Sequence, residues 1–220
     1  MAPIVLYHSP FSPFSRSVLL LSRYLNIDVE VKVLDLLKKE QFSEEFLAIN
    51  PQHCVPTIDD NGFILWESRA ILSYLMEVKA PQLVPTSPKE KAILNQRLHF
   101  ELGGLTSKFS AVFAPVFIGT TSELEESKIK ELYEVFFTID EHYFAHGNEW
   151  IAGENVTVAD FAYVATFSTL VEMGASLDKY PRLQAWLERC KKTFPDYAEA
   201  NEKGAQMLGQ FFKSKLTKGF

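Results

Sequence analysis

The chain has 220 residues, 47% hydrophobic and 23% charged, with two cysteines and a formal net charge of −6 at pH 7. That is globular composition, long enough for one large domain or two modest ones without cross-links. The acidic balance argues against nucleic acid, whose phosphates need a basic surface. Cys54 and Cys190 are too far apart in sequence to suggest a disulfide framework, and no apolar run is long enough for a membrane span. The opening Met-Ala-Pro-Ile-Val-Leu-Tyr-His lacks the basic and long apolar parts of a signal peptide. The expectation is a soluble cytoplasmic protein.

The first eighty residues alternate strand and helix signals. Ile4 to Tyr7 is a short strand-forming run. Ser9-Pro10-Phe11-Ser12-Pro13-Phe14-Ser15 is a loop in which Ser12-Pro13 reads as an N-cap followed by proline at the first helical position. The helix runs on through Leu25. Val29 to Asp35 alternates as a strand. Ser43 to Ile49 reads as a helix with Phe42, Phe46 and Ile49 on one face, stopped by Asn50-Pro51. Thr57 to Asp60 and Phe63 to Trp66 flank Asp60-Asn61-Gly62 as a hairpin. Glu67 to Val78 is a helix with Ile71, Leu72 and Leu75 inward. The order β-α-β-α-β-β-α places the first two strands parallel across a helix, with the hairpin antiparallel, which is the order of a thioredoxin-like domain.

Residues 81–88 are a proline-rich linker. Beyond it Lys89 to Phe117 and Glu123 to Phe144 read as long helices. Trp150 to Gly153 is a break. Thr157-Val158-Ala159-Asp160 resembles a capping box opening a buried helix through Met173. Pro181 to Phe194 and Asp196 to Lys215 complete an all-helical half. The expected domains are 1–80, an α/β unit with a mixed four-stranded sheet and three helices, and 89–220, all-α.

Three places carry chemistry. Pro56 precedes a strand. In the cis form it would turn the N–H and C=O of Val55 outward to pair with an extended peptide; in the commoner trans form it merely opens the strand. Trp66-Glu67-Ser68-Arg69-Ala70 lies at a strand-to-helix junction, where backbone N–H groups and the Ser68 hydroxyl suit a carboxylate and Glu67 an ammonium. The plainer reading is capping of the helix. Ser12, at the start of the first helix, is either a cap alone or also a donor to a thiolate, which the positive helix end would favour.

In this order and spacing, several stretches resemble the cytosolic glutathione transferases, most densely the insect delta/epsilon enzymes. They are Leu6-Tyr7, Ser12 to Arg16, Phe46-Leu47, Asn50 to Thr57, Asp60 to Phe63, Trp66 to Ile71, Asn95 to Phe100, Ala152-Gly153 and Thr157 to Phe161. The resemblance spans essentially the whole chain. It implies conjugation of glutathione to apolar electrophiles, or halide elimination from them, with glutathione as co-substrate and no metal. The alternatives are a non-catalytic carrier of hydrophobic ligands and a structural role. Counting back from Arg16 makes Ser12 the catalytic serine, with Ser9 second because Ser9-Pro10-Phe11 nearly repeats Ser12-Pro13-Phe14. Tyr7 is read as a strand residue. Glutathione contacts carry over to Gln41, where the family often has histidine, to His53 at the glycyl carboxylate, and to Val55 before cis Pro56. Glu67, Ser68 and Arg69 match the γ-glutamyl pocket. Cys54 is read as packing. Pro13, Phe14, Leu36, Phe109, Phe113, Phe117, Phe211 and Phe212 are the expected lining of the electrophile pocket between the domains. A homodimer is implied by family alone.

Overall fold

The computed structural model describes residues 2–218. Strand β1 (Ile4–His8) pairs in parallel with β2 (Val29–Val33), and between them runs α1 (Pro13–Tyr24). On its other side β1 pairs antiparallel with β3 (Thr57–Asp60), which forms the hairpin with β4 (Phe63–Trp66). The sheet order is β2-β1-β3-β4. Two helices complete the unit, α2 (Glu44–Ile49) and α3 (Ser68–Lys79), and in α3 Ile71, Leu72 and Leu75 are buried as their spacing requires.

Two local expectations change. β2 stops at Val33 rather than Asp35. Leu34 still donates its N–H to the His8 carbonyl at 2.7 Å. Asp35 instead closes a turn, its Oδ1 accepting the N–H groups of Leu37 (3.0 Å) and Lys38 (3.2 Å). Phe42 does not share the buried face of α2. Ser43 starts that helix by accepting the Phe46 N–H at 3.2 Å, which leaves Phe42 in a preceding 3₁₀ turn, exposed and facing the His53 ring.

The second half is helical. The long helix expected from Lys89 to Phe117 is α4 (Pro88–Phe100), a π-helical turn (Glu101–Thr106) and α5 (Ser107–Phe117). Then come α6 (Glu126–His142), α7 (Val158–Met173) and α8 (Pro181–Thr193). A second π turn (Ala198–Glu202) leads into α9 (Lys203–Lys213).

The capping box forms. Asp160 Oδ2 accepts the Thr157 N–H at 2.9 Å, while Oδ1 takes the Ile151 N–H and the Trp186 indole N–H, each at 2.9 Å. Nearly every residue of α7 is buried, so this helix is the centre of the second core. α1 lies against α7 and against the second π turn, which joins the two halves.

Candidate active site

Pairing puts the candidate site residues of the first half at one end of the sheet. His8 aligns with Val33, Tyr7 with Thr57, and Thr57 with Trp66. The segments leaving β1 and β2, entering β3 and leaving β4 therefore emerge together. They carry Ser9–Ser12, Leu36 and Gln41, Val55–Pro56, and Glu67–Ser68.

Ser12 is the N-cap of α1, with extended backbone (φ −92°, ψ 113°) and Pro13 behind it. Its Oγ accepts the Ser15 N–H at 3.2 Å. That bond uses a lone pair, so the hydroxyl proton stays free to donate. Ser9 differs: it engages through backbone, its N–H donating to Ser15 Oγ (3.2 Å) and its C=O accepting the Ser12 N–H (3.0 Å). Ser15 Oγ also meets His8 Nδ1 at 2.8 Å. Burial chiefly, and then the nearby Arg16 cation, lower the His8 pKa to about 4. His8 is thus neutral near pH 7 and shares this hydrogen bond with the Ser15 hydroxyl.

The Val55–Pro56 bond is cis. Among the described residues no backbone hydrogen bond outside the ladders engages the N–H or C=O of Val55. The rest of that loop is held by Asn50, whose Nδ2 reaches Thr57 Oγ1 (2.9 Å), the Cys54 carbonyl (3.2 Å) and Cys54 Sγ (3.3 Å). His53 is exposed, with φ 46°. Gln41 Oε1 is buried without a hydrogen-bond partner among the described residues, which is rare for a buried acceptor.

Glu67 is exposed and holds φ 72°, an unfavourable value for a non-glycine residue. It stands just before α3, whose first-turn N–H groups point out of the same end. Ser68 is buried and its Oγ accepts from Arg69 Nη1 at 3.0 Å. Arg69 faces the helical half. Its Nε donates to Glu101 Oε2 at 2.6 Å, its Nη2 to the same oxygen and to Thr106 Oγ1 at 3.0 Å. Glu101 is wholly buried, and Oε1 accepts from Thr106 and Thr166, each at 3.0 Å. The Arg69 guanidinium also lies 4.7 Å from the Phe14 ring centre, bringing α3 against the start of α1.

The family model of the glutathione S-transferase N-terminal domain matches residues 6–82, and that of the C-terminal domain residues 84–193. The chain belongs to the glutathione S-transferase family. Glutathione S-transferase D7 of Anopheles gambiae is 39% identical over 216 residues, covering 96% of this chain and 98% of the mosquito protein. A solved delta-class glutathione transferase of Nilaparvata lugens superposes with TM-score 0.90 at 40% identity, over 97% of this chain and all of that one. An epsilon-class enzyme of the housefly, Musca domestica, gives TM-score 0.90 at 35% identity, over 98% of this chain and 100% of its own. This transferase is accordingly an enzyme of glutathione conjugation on the insect delta/epsilon pattern.

Its candidate pocket residues divide into buried and half-buried ones. Phe113 and Phe212, expected in the pocket lining, are fully buried and pack at 4.8 Å. They lie inside the helical half because side chains with no exposure fill the core first. Phe109 is also buried, 5.0 Å from Phe113, and Pro13 is buried under the first turn of α1. Phe14, Leu36, Phe117 and Phe211 are half-buried. Phe11 belongs with these and was absent from the expected lining. Its ring meets Phe211 edge-on at 5.9 Å, and Phe211 lies parallel to Phe117 at 6.4 Å. The near repeat of Ser-Pro-Phe was the available signal, since each copy carries one phenylalanine. Tyr7 packs on Phe46 at 5.3 Å, with Lys32 Nζ 5.6 Å from its ring centre, as a strand residue.

Proposed function

We propose that Ser12 stabilises the thiolate of bound glutathione for attack on an apolar electrophile. The observation that carries this reading is the direction of the Ser12 bond: its oxygen accepts from Ser15 and leaves the proton for the sulfur. A free thiol near pKa 8.5 is mostly protonated at neutral pH. Lowering it by about two units needs roughly 2.7 kcal/mol. A hydroxyl donating to an anion supplies about 1.5–3 kcal/mol and the helix end about 0.3–1 kcal/mol. The thiol proton leaves to solvent, the sulfur bonds to the electrophilic carbon, and the leaving group departs with its electron pair.

Around that centre, Val55 offers its backbone N–H and C=O to the cysteinyl unit. The N–H groups opening α3, the Ser68 hydroxyl and Glu67 take the γ-glutamyl carboxylate and amine. His53 and Gln41 serve the glycyl end. Arg69, already paired with Glu101, orients Ser68 rather than binding freely. Phe11, Phe14, Leu36, Phe117 and Phe211 offer an aromatic wall to the electrophile. The decisive experiment titrates the thiolate absorbance of bound glutathione. The wild type should show a pKa below that of free glutathione, and Ser12→Ala should return it toward the free value; equal pKa values in both would refute the reading.

A homodimer belongs to the same proposal through the family resemblance, and light scattering should give twice the 25.0 kDa chain mass. Among the described residues no helix is long and apolar enough to cross a membrane. Free Cys54 and Cys190 suit a reducing cytoplasm.

A further inference from the structure

The Ser9–Ser12 loop is held from behind by a segment far along the chain. Arg16, one turn into α1, is 1% exposed. Its Nε donates to Asn201 Oδ1 at 3.1 Å and its Nη1 to the Pro10 carbonyl at 2.6 Å. Its Nη2 reaches the Ala165 carbonyl at 3.4 Å and Thr169 Oγ1. No ion pair among the described residues includes Arg16. A buried cation without a counter-charge depends on each oxygen dipole around it. Burial lowers its pKa to about 9, so it remains a cation near pH 7.

Asn201 sits on the second π turn and is fully buried. Its amide is fixed at both ends, because Nδ2 donates to Ser168 Oγ at 2.9 Å, which in turn shares a hydrogen bond with Tyr197 OH at 2.6 Å. The next helix comes just as close. A Cβ on Gly204 would lie 2.4 Å from the Pro10 carbonyl oxygen and 2.6 Å from Arg16 Cδ. Only a glycine admits that approach, so the π turn and the start of α9 are built tightly against the back of the loop.

We propose that Asn201 is a positioning residue for the transferase reaction: by orienting Arg16 it fixes the Pro10 carbonyl, and through it the placement of Ser12 Oγ against the glutathione sulfur. The chain of contacts is short. Arg16 holds Pro10, the adjacent Ser9 carbonyl holds the Ser12 N–H, and Ser12 follows one residue after Phe11. Small displacements of a donor weaken a directional bond to an anion sharply. This inference rests on the reading that Ser12 donates to the thiolate.

The test compares the thiol pKa of bound glutathione, kcat and the KM for glutathione in the full-length enzyme. Asn201→Ala should raise the bound-thiol pKa toward that of Ser12→Ala and lower kcat about tenfold, with KM little changed. Asn201→Asp keeps an acceptor for Arg16 Nε and should recover most of both. Ser168→Ala loosens the Asn201 amide without removing it, and should move the pKa in the same direction by less. It also serves if the alanine variant does not fold. Leu208→Ala removes a buried side chain from α9; it should lower Tm and leave the thiol pKa unmoved. The proposal is overturned if Asn201→Ala and Ser168→Ala keep the wild-type thiol pKa while Ser12→Ala shifts it, or if Leu208→Ala shifts it equally. An unmoved pKa in Ser12→Ala would instead remove the Ser12 reading, and the role of Asn201 with it.

Discussion

On the proposed reading Ser12 both caps a helix and acts on sulfur, two tasks that use different parts of one hydroxyl. Ser12→Ala should therefore lose both: about 1 kcal/mol of stability for the cap and ten- to a hundredfold in turnover, roughly the 1.5–3 kcal/mol of the lost donor. Ser9→Ala leaves the backbone bonds of Ser9 intact and should keep turnover within about threefold. Steady-state rates on both variants decide, and the opposite ranking would transfer the role to Ser9. Glu101 is the second residue whose change should tell. Removing one member of a buried pair leaves an uncompensated charge, so Glu101→Ala should cost about 3–5 kcal/mol and weaken glutathione binding by releasing Arg69 from Ser68. A denaturant midpoint equal to wild type would show the pair to be idle. His8 sets a pH dependence. Its folded pKa is about 4 against 6.5 for the free side chain. The unfolded chain thus takes up a proton first as pH falls. Its contribution is complete above pH 6.5 and is lost between 6.5 and about 4, of the order of 3 kcal/mol. His8→Asn should flatten the stability curve over that window; parallel curves for the two proteins would exclude His8 as the cause.

At the scale of elements, each π turn presents side chains to an arginine at the active-site end: Glu101 and Thr106 to Arg69, and Asn201 to Arg16. π turns recur at functional sites because they aim side chains a regular helix would not. Gly204→Ala tests how tightly the second one is seated. With its Cβ inside the Pro10 carbonyl, the helix must move, at about 1–3 kcal/mol, and turnover should fall with it; unchanged Tm and kcat would mean that α9 slides freely. The strands, the hairpin, the Thr157–Asp160 capping box and the Ser12 cap were legible in the sequence because each is decided by residues within a few positions. The π turns were not. Leu98, Leu105, Phe109, Val112 and Val116 keep ordinary helical spacing across Glu101–Thr106, so periodicity runs through the turn unaltered. Gly103 and Gly104 were its local mark, and a glycine pair reads equally as a weak helix. Arg16 was legible as a family landmark, but its partner 185 residues away was not. The burial of Phe113 and Phe212 was hidden for the same reason: helical phenylalanines look alike until the neighbouring helices are placed.

In the whole molecule, the two halves share their most polar contacts through Arg16 and Arg69, and α1 is buried against α7. They should unfold together. Far-UV circular dichroism, dominated by the helical half, and the fluorescence of Trp66 in the sheet with Trp150 and Trp186 in the helical half should give one coincident transition. Two midpoints would show that the halves are independent. The distance between Arg16 and Asn201 also has a consequence in time. A chain is made from its N-terminus at about 5–20 residues per second, so the 185 residues between them take roughly 10–40 s to appear. For that interval Arg16 lacks Asn201, and until α7 is made it lacks the Ala165 and Thr169 oxygens as well. On the proposed reading, the nascent N-terminal half carries the serine without the arrangement that aims it until the second π turn is made, and the capacity to activate a thiol arrives with nearly the last segment of the chain.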